Sequence, residues 1–203
     1  MNFVTKTFAA LALSSVAVLA QANVVTTLTG DTAIVLPAAN STNTSSATIA
    51  PGITFTAPTP SVYGWTNGYG FANNGSWSGT PMLGTNNNNN YFEVNFADAV
   101  SGFLSQVNWT TGYGGDATMS IYGATNNLLE TLVLEHNGVN LVAASSFYGF
   151  KRQSADISHV RFSNEYIGAR SMSFTRASDV PEPASLALLG LALAGAAVAR
   201  RRK

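Results

Sequence analysis

Two histidines, His136 and His159, are the only imidazoles in the 203-residue chain, and it contains no cysteine. Disulfides, thiolate metal sites and a cysteine nucleophile are therefore excluded. Neither histidine sits in a His-x-x-x-His spacing, which would put two imidazoles on one helical face, so zinc has no support. Calcium needs only oxygen ligands, and Asp116, after Gly114-Gly115, is the best single candidate; the same aspartate also suits a plain turn. No Gly-x-Ser-x-Gly elbow is present. A glycosidase needs two carboxyls flanking a cleft, and no spacing among Glu93, Glu130, Glu135 and Glu165 marks a pair. The chain reads as a non-enzyme, with no cofactor beyond the calcium candidate.

The segment Tyr63–Trp77 is the one stretch whose composition could recognise a ligand. Its aromatics could stack on the apolar faces of sugars, its asparagine amides could bond hydroxyls, and its glycines would let the loop display both. Trp65, Tyr69 and Trp77 are the candidate glycan contacts. The competing expectation is that Trp65, Phe71 and Trp77 pack one edge of the body. Asn40, Asn43, Asn74 and Asn108 each begin an Asn-x-Ser/Thr triplet.

These groups must be positioned by strands. Tyr91–Phe96 alternates, with Phe92, Val94 and Phe96 on one face. Further strand signals fall at 24–28, 33–36, 53–56, 103–111, around Met119 and Ile121, and at 128–134, 141–150, 157–162 and 172–175. Period-two runs broken by Gly, Asn and Pro point to a sandwich or barrel. Gly112-Tyr113-Gly114-Gly115-Asp116 and Asn126-Asn127 read as turns, and Asn137-Gly138 as a hairpin. The Thr/Ser/Pro-rich region 40–60 reads as extended or loop-like, and the asparagine run 86–90 as a surface loop. The expected fold is an all-β, jelly-roll-like sandwich.

Only 10% of residues are charged. Residues 23–179 carry five basic and nine acidic side chains, a net charge of −4. A mildly acidic body lacks the basic footprint that nucleic acid requires.

The remaining positive charge lies near the ends. Met1–Thr7 with Lys6, the apolar stretch Phe8–Leu19 and the small residues of Ala20-Gln21-Ala22 form a signal peptide cut after Ala22, making signal peptidase a partner. The alternative is an uncleaved anchor. At the other end Val180-Pro181-Glu182-Pro183 precedes an apolar run, 184–199, and then Arg200, Arg201, Arg202 and Lys203. As a helix that run spans about 24 Å, slightly less than the roughly 30 Å hydrocarbon core. Arg200 can snorkel across part of the gap, and the basic stop keeps the tail's end cytoplasmic. The expectation is a single C-terminal transmembrane helix, and three segments: 1–22, the body 23–179, and 180–203.

The order Pro181-Glu182-Pro183, short membrane segment, basic cluster resembles the PEP-CTERM sorting signal of Gram-negative bacteria. That resemblance implies an exosortase as partner, and removal of the tail near the Pro-Glu-Pro motif. An ordinary tail anchor is the other reading of the same residues. Residues 91–175, with Ser101-Gly102-Phe103, Met119–Gly123 and Ser171–Phe174, resemble the jelly-roll bodies often joined to such tails and, more distantly, carbohydrate-binding modules. Together these imply an exported, non-catalytic protein, anchored transiently in the inner membrane and then resident in the envelope, on the surface or in the matrix, associated with exopolysaccharide. The alternative implied function is a carbohydrate-binding module using 63–77; a hydrolase is the third reading.

Overall fold

A computed structural model describes residues 22–87, 90–134 and 145–176. The signal-peptide segment up to Gln21, the sorting motif, the apolar run, His136 and Asn137-Gly138 lie outside the described residues. What is described is all-β. The strands are β1 (Asn23–Val25), β2 (Thr32–Ala33), β3 (Ser41–Ala50), β4 (Ile53–Trp65), β5 (Tyr69–Gly70), β6 (Ser76–Trp77) and β7 (Met82–Gly84). They continue with β8 (Tyr91–Val100), β9 (Gly102–Trp109), β10 (Thr118–Tyr122), β11 (Leu128–Val133), β12 (Ser146–Lys151), β13 (Ile157–Ser163) and β14 (Ile167–Thr175).

One hydrogen-bonded path runs β1-β12-β9-β14-β7-β4-β8-β13-β10-β11, with β2 beside β14 and β3 beside β4. The path folds back so that its halves face each other. Phe103 of β9 lies 6.1 Å from Phe162 of β13, and Phe96 of β8 lies 5.8 Å from Phe174 of β14. Strand β4 carries the chain between layers: Ile53–Thr56 pair with β8, and Val62–Trp65 with β7. Pro58 and Pro60 fall between those stretches, where their missing N–H groups cost no ladder bonds.

The alternation in Phe92, Val94 and Phe96 holds: all three are buried, while Glu93 and Asn95 are less so. In β14 the parity changes. Ile167 and Ala169 face the core, then Met172 and Phe174 do. A register shift between Arg170 and Ser173, with Ser171 at φ 48°, inserts the extra residue that makes this possible. Without disulfides, stability rests on these rings, each worth about 2–3 kcal/mol on burial.

The region 40–60 takes the extended one of its two expected forms. It forms β3 and much of β4, a hairpin in which Thr48 faces Thr54 and Ser46 faces Thr56. β-Branched threonines favour such pairing, and Gly52 at φ 75° makes the turn.

The register also defines two poles. Asn23, Lys151, Gly102 and Thr175 form one row across β1, β12, β9 and β14. The body is therefore entered and left at the same pole. At the opposite pole Trp109 faces Ile167 and Tyr91 faces Ser163.

Candidate functional site

The segment after Trp65 forms a small lobe on β14. Tyr69 pairs with Trp77 and Gly70 with Ser76, around a 3-10 turn at Ala72–Asn74 that Gly75 closes at φ 81°. Phe71, Trp77 and Met82 make a second, minor core. Phe71 lies edge-on to Trp77 at 4.9 Å, and Arg170 of β14 sits 4.2 Å over the Trp77 ring. The Trp77 indole N–H donates to Ser145 Oγ at 3.3 Å. Trp77 is 3% exposed, so here it is a packing residue. Gly168 lets the lobe approach, since a Cβ there would meet Met82 Cε at 2.7 Å and Phe71 Cζ at 2.8 Å. Trp65 is half-buried against the same core, its N–H 3.4 Å from the Gly68 carbonyl.

Tyr69 has a second role. With Gly70, Ala72, Asn86, Thr110, Tyr113 and Tyr166 it lines an open cleft of about 420 Å³. That volume falls within the range of small-ligand sites. The cleft lies at the pole opposite the chain's entry and exit, where the loops after β7, β9 and β13 meet.

Each tyrosine is fixed by backbone chemistry. The Tyr69 hydroxyl donates to the Thr85 carbonyl at 2.7 Å. Burial, with a contribution from Tyr166, pushes its phenol well above the usual range, so it stays protonated. Tyr166 is placed by the Asn164–Glu165 turn, where both residues hold left-handed φ, 65° and 50°. Its backbone N–H donates to Thr110 Oγ1 at 3.2 Å. The Glu165 carboxylate turns inward and accepts the Tyr113 backbone N–H at 2.8 Å. Glu165 is 1% exposed, and among the described residues the lining carries no charged side chain. Tyr113 stands edge-on to Tyr166 at 5.9 Å, with half its surface open to solvent.

Such a cleft can offer ring faces, phenol hydroxyls, an amide and a threonine hydroxyl. Among the described residues its lining holds no nucleophile–base pair and no two carboxyls. Of the sequence candidates Trp65, Tyr69 and Trp77, Tyr69 lines the cleft; Tyr113, Tyr166, Thr110 and Asn86 are not among them. Tyr113 and Tyr166 lie far apart in the chain and meet only because β9 and β14 pair. The Gly-rich loop around Tyr113 was the available signal.

The calcium candidate gains nothing from the fold. The Asp116 carbonyl accepts the Asn164 amide at 2.9 Å, and among the described residues no three His, Cys, Asp or Glu side chains gather to hold a metal. Two of the Asn-x-Ser/Thr asparagines are occupied internally: Asn108, fully buried, donates to the Asn74 carbonyl, and Asn74 donates to the Trp109 carbonyl.

A second aromatic cluster lies on the outer face of β8, β13 and β10. Arg161 stands 4.2 Å from the Tyr91 ring and 4.8 Å from that of Tyr122. His159 stacks on Tyr122 at 4.7 Å, nearly parallel. Glu93 accepts both Nε and Nη2 of Arg161, at 2.8 and 2.6 Å, and accepts the Thr56 hydroxyl. His159 Nε2 is 3.7 Å from Glu93. Burial lowers the His159 pKa; Glu93 opposes this, and Arg161 adds to it.

One end of the chain is decided by comparison with protein families. Residues 179–203 match the PEP-CTERM protein-sorting motif. The chain carries a PEP-CTERM sorting signal. The signal covers Pro181-Glu182-Pro183 and the basic end, and it implies export, sorting to the cell envelope or surface and processing by an exosortase. It does not extend into the β-rich body. No curated protein sequence matches the chain. Among solved structures, the body is similar to CsCBM6-3 from Clostridium stercorarium, in complex with cellobiose, at 12% identity and a TM-score of 0.33, covering 66% of this chain and 88% of that one. It is also similar to the lectin domain of lectinolysin, complexed with Lewis B antigen, at 11% identity and a TM-score of 0.32, covering 48% and 72%.

Proposed function

We propose that this is a non-catalytic protein of the cell envelope or extracellular matrix whose body binds uncharged saccharide in the Tyr69–Tyr113–Tyr166 cleft, and so associates with exopolysaccharide. In this reading a signal peptidase removes residues 1–22. The segment 184–199 then holds the body outside the inner membrane until an exosortase cuts near Pro181–Pro183. The observation that carries the saccharide part is the cleft's lining: three tyrosines, an asparagine and a threonine, with the buried Glu165 carboxylate held by the Tyr113 backbone N–H. Rings and hydroxyls suit the apolar faces and hydroxyls of sugars, and a lining uncharged among the described residues favours a neutral ligand. A hydrolase would need a carboxyl pair at the scissile bond, which the described lining residues do not supply.

Calorimetric titration tests the reading with cello- and malto-oligosaccharides as neutral probes and an alginate oligosaccharide as the anionic control. Binding to a neutral probe should weaken at least about tenfold in a Tyr113→Ala/Tyr166→Ala variant, an effect on the scale of interface anchors. Failure of every neutral probe, or preference for alginate, would sink it. Intact-mass measurement of the mature protein from its host tests processing: both ends should be missing.

A further inference from the structure

The two poles have a consequence for how the cleft is presented. Entry and exit lie in one row, Asn23, Lys151, Gly102 and Thr175, three strand spacings or about 14 Å across. From Gly102 to Trp109, β9 runs seven residue steps, about 24 Å, toward the cleft pole. Arg176 follows at the exit pole, beside Asp98. From Arg176 to Ala184, where the apolar run begins, there are only eight residue steps, a reach of at most about 28 Å.

We infer that while the tail is held in a bilayer the body stands exit pole down, with the tyrosine cleft facing away from the membrane. The inference rests on the membrane-held tail proposed above. An inverted body would need nearly the whole tether merely to run back past its own flank, leaving no slack for any contact. Upright, the tether is relaxed. The cleft is then open to the surrounding medium before the sorting cut as well as after it. Its ligand class is narrowed accordingly: a soluble or matrix saccharide reached from outside, not a glycolipid headgroup of the same membrane.

The chain has no cysteine, so single cysteines can report orientation. Asp98→Cys marks the exit pole, where the side chain is 80% exposed. Gly114→Cys marks the exposed loop at the cleft pole. The chain, with its sorting tail intact and its signal peptide removed, is reconstituted in phosphatidylethanolamine–phosphatidylglycerol vesicles containing a rhodamine lipid. Energy transfer from a fluorophore at position 98 should exceed that from position 114 severalfold. Equal transfer, the reverse order, or no transfer from either position would overturn the inference. A second arm measures capture of a soluble malto-oligosaccharide by free and vesicle-held protein. Equal capture is expected. Capture by the free protein alone would also overturn the inference. Capture by neither would count against the saccharide reading, while the transfer readout would still decide orientation.

Discussion

Two aromatic clusters reach the surface of this body, and they differ in what covers the rings. On the outer sheet face, Tyr91 and Tyr122 are occupied by Arg161 and His159, and Glu93 neutralises the cation. At the cleft pole, Tyr113 and Tyr166 touch each other edge-on and border open volume. The first cluster has satisfied its rings and its charge within the protein. The second leaves ring surface bordering a space, while the Tyr69 hydroxyl and the Asn86 amide donate to backbone carbonyls. Aromatic content alone separates neither from the other; the difference lies in whether a side chain of this chain already fills the partner's place.

The sharpest test of the contrast is Glu93→Gln. It leaves the Arg161 cation between two rings without a counter-charge, and removing one partner of a half-buried pair is destabilising. Stability should fall by about 1–2 kcal/mol, discounted because Arg161 still reaches solvent, as read from urea unfolding. Saccharide binding should not change; a matching loss of affinity would show that the outer face also serves the ligand. Tyr113→Ala should do the converse. Half of its surface is open to solvent, so stability should stay within about 0.5 kcal/mol while affinity drops roughly fivefold or more. An unfolding midpoint that moved instead would reassign Tyr113 to packing. The smallest effect is in acid. The folded-state pKa of His159 lies below its ordinary value of about 6.5. Its contribution is therefore complete above that value and is lost as pH falls below it, because the unfolded chain takes up the proton first. Thermal unfolding between pH 8 and 5 should show this slope, and His159→Gln should flatten it. Saccharide affinity over the same range should be level, since among the described residues no carboxylate or imidazole lines the cleft.

Much of the sheet could be read from alternation, because a strand with one wet face must repeat every second residue. Phe92, Val94 and Phe96 announced β8 in this way. Strand β3 did not, because Ser41–Ala50 is a hydroxyl-rich strand at the margin of the sheet with almost no apolar face. Nothing in its own residues demands burial, and β4 supplies the pairing. Strand β7, three buried residues long, is too short to show a period. At the cleft, Tyr69 was visible because it lies in a local aromatic run, and Trp77 in the same run turned out to be a packing residue under Arg170. Composition cannot tell a ring that faces a groove from one that faces a guanidinium. The remaining tyrosines required knowledge of which strand ends meet, and pairings between distant strands leave no local trace.

A body that begins and finishes within about 14 Å on one side has a modular character. Such a unit could be spliced into an exposed turn of another exported protein without passing a chain through its interior. Grafted in that fashion, it should keep its layers intact and carry its groove outward on the new host, like a lamp screwed into a socket.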